Sequence, residues 1–102
     1  MEFLLEKKAG SRMLDENKKI AVALLYDKAN APKIVAKGHD DLAESIVEIA
    51  EKSGVPISED HLLAETLAKL EMNQEIPESL FRSVAVVLAW VYRLQGKTPW
   101  DG

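Results

Sequence analysis

Residues 20–26, IAVALLY, form a nearly continuous apolar run between polar neighbours. Its length and flanks favour a buried strand, although periodicity alone leaves a buried helix open. The segment Asp27–Pro32 that follows has the composition of a turn, with Asn30 and Pro32 as its strongest signals. Lys33–Lys37 then encloses a second short strand, which Gly38 ends. We therefore expect two strands at the start of the folded unit.

Helical patterns dominate the rest of the chain. Asp41 and Glu44 have the spacing of a capping box, and Gly54 is placed to end the helix that starts there. Asp60 is predicted to cap a second helix. The predicted buried face of the first helix consists of apolar residues at helical spacing: Leu42, Ala43, Ile46, Ile49 and Ala50.

The last helix has the clearest apolar stripe. Pro77 occupies its first turn, where the missing amide costs nothing, and Gly96 closes it. The stripe is broadened by Phe81, Val87 and Tyr92, and its main members are Leu80, Val84, Leu88 and Val91.

A short strand at Val55–Ile57 lies between the first two helices, and Pro56 should place it at a strand start or on an edge. Two strands joined by a helix imply a parallel crossover. The predicted fold class is α/β, with a small central mixed sheet of three to four strands and three to four helices packed around it. We expect residues 1–19 to be flexible or partly helical, residues 20–94 to form the domain, and residues 95–102 to be a tail.

Composition excludes several functional classes. The chain has 102 residues and no cysteine, so disulfides, thiolate metal sites and thiol nucleophiles are ruled out. Its net charge of −4, with lysines interleaved among acids, argues against nucleic acid as the main partner. The longest apolar run, Val84–Tyr92, is far below the roughly 20 residues needed to cross a bilayer, so we expect no direct membrane insertion.

Several short motifs, in order along residues 20–94, resemble the FlhB/YscU export-switch family of flagellar and type III secretion systems. They include Ala21–Leu24 followed by Tyr26-Asp27, the segment Ala31–Gly38, and Gly54–Ile57. Later motifs are Ile76–Glu78 and Val87–Tyr92. Each motif is modest alone, and their shared order carries the resemblance.

One departure from the family concerns backbone cleavage. Family members have an Asn-Pro-Thr-His motif before the first of these strands, and its Asn attacks its own carbonyl. In register, that motif falls on residues 16–19, where Glu16 stands at the nucleophile's position and Asn17 is displaced by one. We therefore predict no self-cleavage; a fragment starting at Asn17 or Lys18 in mass spectra of aged protein would contradict this.

The resemblance implies a stand-alone, non-enzymatic domain that binds protein and needs no cofactor. Expected partners are flagellar export substrates or components of the export gate, and the expected location is the cytoplasm, with recruitment to the membrane-bound gate. In the family, a shallow apolar patch is thought to bind export signals. The matching positions here are Ala31, Pro32, Ala85 and Leu88. Ala31-Pro32 could equally be a plain turn, and Leu88 could equally belong to the core.

Other readings stay open from the residues alone. The chain could be a regulatory or homo-oligomeric adaptor unrelated to secretion, or an accessory domain of an enzyme. His39 and His61 are expected at helix starts rather than in a metal site, because a metal would need about four converging ligands. Lys33 and Lys37 are expected on one face of their strand, since their spacing is even. Trp90 is expected in the core or half-buried, and Trp100 is expected to fold back onto the domain or to dock on a neighbouring chain.

Overall fold

The apolar run at residues 20–26 forms a strand inside a four-stranded sheet that carries helices on both faces. The structure is a computed structural model, and it describes residues 1–8 and 19–96. In chain order the elements are β1 (Glu2–Lys7), β2 (Ile20–Leu25), β3 (Lys33–His39), α1 (Asp40–Lys52), β4 (Ile57–Glu59), α2 (His61–Ala68), a 3-10 turn (Glu78–Leu80) and α3 (Phe81–Leu94).

The sheet has the strand order β3-β2-β1-β4. Strand β2 is antiparallel to both of its neighbours, whereas β4 is parallel to β1. Strands β3 and β4 therefore run in the same direction at opposite edges of the sheet, and α1 connects them. This confirms the predicted parallel crossover and the predicted fold class, a small mixed sheet with helices packed around it.

Strand β2 is apolar throughout because both of its faces are covered. Ile20, Val22 and Leu24 point into a large core with α2 and α3. Ala21 and Ala23 point to the other face, where they meet α1 through small side chains. A strand buried on both faces loses the usual alternation of polar and apolar residues, which is why its sequence is a continuous apolar run.

The prediction of a flexible or helical N-terminal segment is wrong for Glu2–Lys7, which form β1. Residues 3–5 of this strand are buried. β1 pairs along its whole length with β2 on one side, and its residues 4–6 pair with β4 on the other. Lys7 is also buried and donates a hydrogen bond to Glu65 of α2. The strand was missed because only three apolar residues stand between charged ones, and its stability comes from neighbours remote in sequence.

A β-bulge at Val35 reverses the faces of β3. Ala23 pairs with Ala36 and Leu24 with Ile34, so one residue of β3 is left over. Ile34 consequently lies in the core under α3, while Ala36 packs on the α1 side. Lys33 and Lys37 therefore do not share a face, contrary to the prediction. Lys37 Nζ donates to the carbonyl oxygens of Ala68, at 3.1 Å, and Leu70, and so caps the C-terminal end of α2.

Helix α1 differs from its prediction at the start and in its buried face. The capping box is absent: α1 begins at Asp40, with His39 as the capping residue and no side-chain cap. Ala43 and Ala50 are buried as predicted, but Leu42 and Ile49 are 57 % and 64 % exposed. The face that contacts the sheet is therefore rotated away from these two residues.

The cap of α2 and the glycines after α1 and α3 match the predictions. Pro77 does not lie in the first turn of the last helix as predicted: it precedes the 3-10 turn Glu78–Leu80, and α3 begins at Phe81. Asp60 Oδ1 accepts a hydrogen bond from the Leu63 amide at 3.1 Å, which makes Asp60 the cap of α2. Gly54 and Gly96 have φ angles of 72° and 69°, the left-handed conformation expected at a helix end. Within residues 1–8 and 19–96, no helix has the length and apolar character that a membrane span requires.

Strand β4 starts two residues later than predicted, at Ile57. Pro56 precedes it and accepts a hydrogen bond from the Leu4 amide at 2.9 Å through its carbonyl oxygen. Proline thus joins the pairing with β1 only as an acceptor, at the start of an edge strand, as expected from its missing donor.

Candidate protein-binding groove

An open groove of about 380 Å³ lies between the β2–β3 loop and α3. This volume falls in the range typical of ligand sites in proteins. Pro32, Ile76, Val84 and Leu88 form its buried floor. The rim is more accessible, and Phe81, which belongs to it, is 43 % exposed. We call this site the loop–α3 groove; its lining residues are Tyr26, Lys28, Ala29, Asn30, Ala31, Pro32, Ile76, Phe81, Val84, Ala85 and Leu88.

Hydrogen bonds hold the loop side of the groove in place. Asp27 Oδ1 accepts from the amides of Ala29 at 2.9 Å and Asn30 at 3.0 Å, a local arrangement typical of Asx turns. At the other end of the loop, the Pro32 carbonyl accepts from the Ile76 amide at 2.9 Å. The backbone of Lys28, with φ of 71°, is in the left-handed region. The loop is therefore fixed at both ends, so its apolar residues are presented at little further entropic cost.

The amides of Asn30 and Ala29 lower the pKa of Asp27 below its usual value of 3.8. A carboxyl group with a lowered pKa stabilises the folded state above its unfolded pKa, and this contribution is lost as pH falls through the folded pKa. We expect Asp27→Ala to be less stable than the parent at pH 7, with a gap that narrows below pH 3.8. Because Asp27 is exposed, the effect is small. Urea denaturation of both proteins across this range tests it; a gap independent of pH would contradict it.

The groove is apolar, with one positive group at its rim. Among the residues that the structure describes, Lys28 is the only charged one that lines the groove, and its Nζ lies 5.6 Å from the ring centroid of Tyr92, within cation–π range. Burial raises the pKa of Tyr92, and Tyr26 adds to this effect. Tyr92 therefore stays neutral near pH 7, and at 2 % exposure it belongs to the core beside Lys28 rather than to the lining of the groove.

All four residues predicted for the binding patch line this one groove. They divide by exposure: Ala85 is exposed and Ala31 is half-buried, whereas Pro32 is buried and Leu88 is 9 % exposed. Leu88 thus belongs both to the core and to the floor of the groove. The sequence had left these two placements as alternatives. That these residues bind a partner stays a prediction.

Phe81, Tyr26 and Ile76 were not predicted as site residues. Phe81 was assigned to the core stripe of the last helix, but Phe81, Ala85 and Leu88 are spaced by four and three and form a second apolar stripe beside the core. That spacing was a usable signal in the sequence. Ile76 carried no such signal, because only the tertiary fold brings it beside Pro32.

A second, larger cavity of about 540 Å³ lies between α1 and the ends of β1 and β2. Its lining is rich in paired charges: Lys19 pairs with Glu44, and Lys8 Nζ lies 4.0 Å from Glu6 Oε1. Burial raises the pKa of Glu6, which also lines it. Lys8 and Lys19 stand on either side of residues 9–18, which lie outside the described residues. A cavity lined by this many charged side chains does not suit an apolar peptide segment, so the smaller loop–α3 groove is the better candidate site.

The remaining predicted residues lie apart from the groove's lining. His39 precedes α1 and His61 begins α2, both at helix starts as expected. His61 Nε2 lies 3.0 Å from Glu59 Oε2 at the surface. Trp90 is 36 % exposed and lies at the surface, whereas it was expected in the core or half-buried. Trp100, Glu16 and Asn17 lie outside the described residues.

Comparison with known proteins decides the relationship. Residues 16–91, about three quarters of the chain, match the FlhB HrpN YscU SpaS family. The chain belongs to this family. It is 42 % identical over 76 residues to the uncharacterized protein YlqH of Bacillus subtilis, a match that covers 72 % of this chain and 82 % of YlqH. It is 46 % identical over 78 residues to the flagellar biosynthetic protein FlhB of Escherichia coli, covering 74 % of this chain and 20 % of FlhB.

The fold is also that of a solved FlhB domain. The crystal structure of the cytoplasmic domain of FlhB from Shewanella putrefaciens superposes with a TM-score of 0.76 at 32 % identity. The match covers 91 % of this chain and 70 % of that one. The FlhB-like chain thus has the architecture of an export-apparatus cytoplasmic domain, and it spans about a fifth of the E. coli FlhB relative.

Proposed function

We propose that this chain is a protein-interaction domain of the flagellar or type III export apparatus, and that it binds an apolar segment of export substrates in the loop–α3 groove. The observation that carries the proposal is the meeting of Ala31, Pro32, Ala85 and Leu88 in one open apolar groove. By the family resemblance, these positions match a shallow apolar patch that is thought to bind export signals. In the same proposal, the chain acts without a cofactor and takes the place of, or competes with, the cytoplasmic domain of the gate protein FlhB.

The physical properties of the groove support a peptide partner. An apolar floor with an accessible rim allows a short segment to bury one or two apolar side chains, at roughly 25 cal/mol per Å² of apolar surface removed from water. The floor is supplied by the strand loop and α3, which are held by the core, so binding needs little reorganisation. Of the described residues, Lys28 at the rim is the only charged one in the lining, so a partner that binds the floor does not have to bury a charged side chain of this protein.

Ala85 offers the sharpest test of the groove. We expect Ala85→Glu to weaken binding of a purified hook-type export substrate by about tenfold or more, because the substrate would have to bury against a carboxylate. Ala85 is exposed in the free protein, so the fold should be retained. Isothermal titration calorimetry with parent and variant measures the change.

Ala89→Glu is the matched control, because Ala89 is also exposed on α3 but does not line the groove. It adds the same charge and should leave affinity unchanged. Equal binding by the parent and Ala85→Glu would place the substrate elsewhere. A parent protein that binds no hook-type substrate would overturn the proposed function itself.

The relation to the gate is tested in a host cell. The chain should restore motility, at least in part, to a strain whose FlhB lacks its C-terminal cytoplasmic piece, or should reduce motility when it is overproduced beside intact FlhB. Swimming that is unaffected in both strains would contradict a role at the gate.

A further inference from the structure

Two apolar stripes lie on the outside of the molecule, away from the loop–α3 groove. On α1, Leu42 and Ile49 are 57 % and 64 % exposed and stand seven residues apart, so they share one side of the helix. On α3, Val86 and Leu94 are 68 % and 60 % exposed, with Trp90 between them at four-residue spacing. We call these the α1 stripe and the α3 stripe.

The two stripes carry opposite charge. Helix α1 contains one lysine and five carboxylates, at Asp40, Asp41, Glu44, Glu48 and Glu51. Helix α3 contains no acidic residue and two arginines, Arg82 and Arg93. The chain has a net charge of −4, and of the three α-helices that the structure describes, only α3 has a net positive charge.

The charges also lie beside the apolar residues. Asp41 and Glu48 directly precede Leu42 and Ile49, and so flank the α1 stripe at the same seven-residue interval. Arg82 and Arg93 are four residues before and seven residues after Val86, which puts all three on the same side of α3. Each stripe is thus an apolar strip bordered by charges of one dominant sign.

The stripes have similar lengths. At 1.5 Å per residue, Leu42 to Ile49 spans about 10 Å along α1, and Val86 to Leu94 spans about 12 Å along α3. Two helices packed side by side along these stripes would cover the exposed apolar residues of both. The carboxylates beside the α1 stripe would then lie near the arginines beside the α3 stripe.

We propose that a second copy of this chain is the partner of these surfaces, with the α1 stripe of one molecule docked on the α3 stripe of the other. This interaction goes beyond the proposed function, because it uses neither the loop–α3 groove nor an export substrate. The contact joins different surfaces of the two copies. In a closed dimer, each molecule docks its α1 stripe on the α3 stripe of the other; if the dimer does not close, further copies can add to the free stripes. Two short helical strips bury less than the 1,200 Å² or so of a standard stable interface, so the association is weak and depends on concentration.

Charge-reversal substitutions beside the two stripes test the proposal directly. The parent protein should rise in average mass above the monomer value of 11.3 kDa as concentration increases in sedimentation equilibrium. Arg82→Glu/Arg93→Glu and Asp41→Lys/Glu48→Lys should each self-associate about tenfold more weakly or worse, because like charges then face each other. A mixture of the two variants should recover association, since each surface again meets its opposite.

Controls separate this contact from general charge effects and from unfolding. Lys33→Glu/Lys69→Glu changes the net charge as much as the arginine variant does, at exposed positions outside both stripes, and should associate like the parent. Circular dichroism melting should show that all variants stay folded.

A parent protein that remains monomeric at the highest concentration reached would overturn the proposal and leave the stripes to other proteins. Failure of the variant mixture to recover association would equally overturn it. Neither result depends on whether the loop–α3 groove binds export substrates, so the two proposals fail or stand separately.

Discussion

Phe3→Ala should destabilise the domain by about 3–5 kcal/mol, a large fraction of the roughly 5–15 kcal/mol that holds a typical domain together. Phe3 is completely buried in β1, opposite Leu24 of β2, and packs in the core under α2 and α3. Removing its ring leaves a cavity that two flanking strands prevent from collapsing. Urea denaturation followed by circular dichroism measures the loss.

Phe81 is the matched control, because it is the only other phenylalanine in the chain. Phe81→Ala should cost much less stability, since the ring is 43 % exposed, and should instead weaken substrate binding in the loop–α3 groove. A small stability change for Phe3→Ala, comparable with that for Phe81→Ala, would show that β1 is dispensable for the fold.

Gly38→Ala should destabilise the domain by about 1–3 kcal/mol through overpacking. A Cβ atom at Gly38 would lie 2.5 Å from Leu42 Cγ, a distance that real structures essentially never show, and 3.0 Å from Leu42 Cβ, which is a very tight contact. The exposed tip of Leu42 can move, but its Cβ is fixed by the first turn of α1. The glycine is therefore required for space between β3 and α1.

A double-mutant cycle isolates this cause. Leu42→Ala should have a small effect alone, and it should reduce the cost of Gly38→Ala when the two are combined. Gly54→Ala serves as the contrast: its φ of 72° makes it costly for backbone reasons, nothing lies within 4 Å of the added atom, and Leu42→Ala should not relieve it. Additive effects of Gly38→Ala and Leu42→Ala would refute the steric explanation.

Much of the fold could be predicted because several elements are determined locally. The run at residues 20–26, the cap at Asp60 and the glycines that end helices each depend on nearby residues, and each is found as expected. Strand β1 was not predictable in this way, because a short apolar run between charged residues becomes a strand only when β2 and β4 pair with it.

Two further errors have the same physical origin in tertiary contacts. The bulge at Val35 is a register shift between β2 and β3, and no local sequence pattern indicated it. Lys37 was therefore assigned to the same face of the sheet as Lys33, which is wrong. On α1, the apolar arc is wider than the contact with the sheet, and the sequence alone does not say which part of the arc is covered. Leu42 and Ile49 lie in the uncovered part.

Four members of the candidate site were predictable from the family resemblance, but its other members and its depth were not. The four residues named from the family resemblance lie in one groove, whereas their division into floor and rim depends on how α3 sits against the loop. Phe81 illustrates the limit: helical spacing puts it beside both the core and the groove, and only its exposure assigns it to the rim.

Strand β1 lies between β2 and β4, and this position bears on what happens if the backbone is cut between β1 and β2. Its hydrogen bonds to β2 and β4, together with the buried side chains of Phe3 and Leu5, hold this strand in the sheet. A single nick between Lys8 and Lys19 would therefore yield two fragments that stay associated, with the second fragment retaining both sides of the loop–α3 groove.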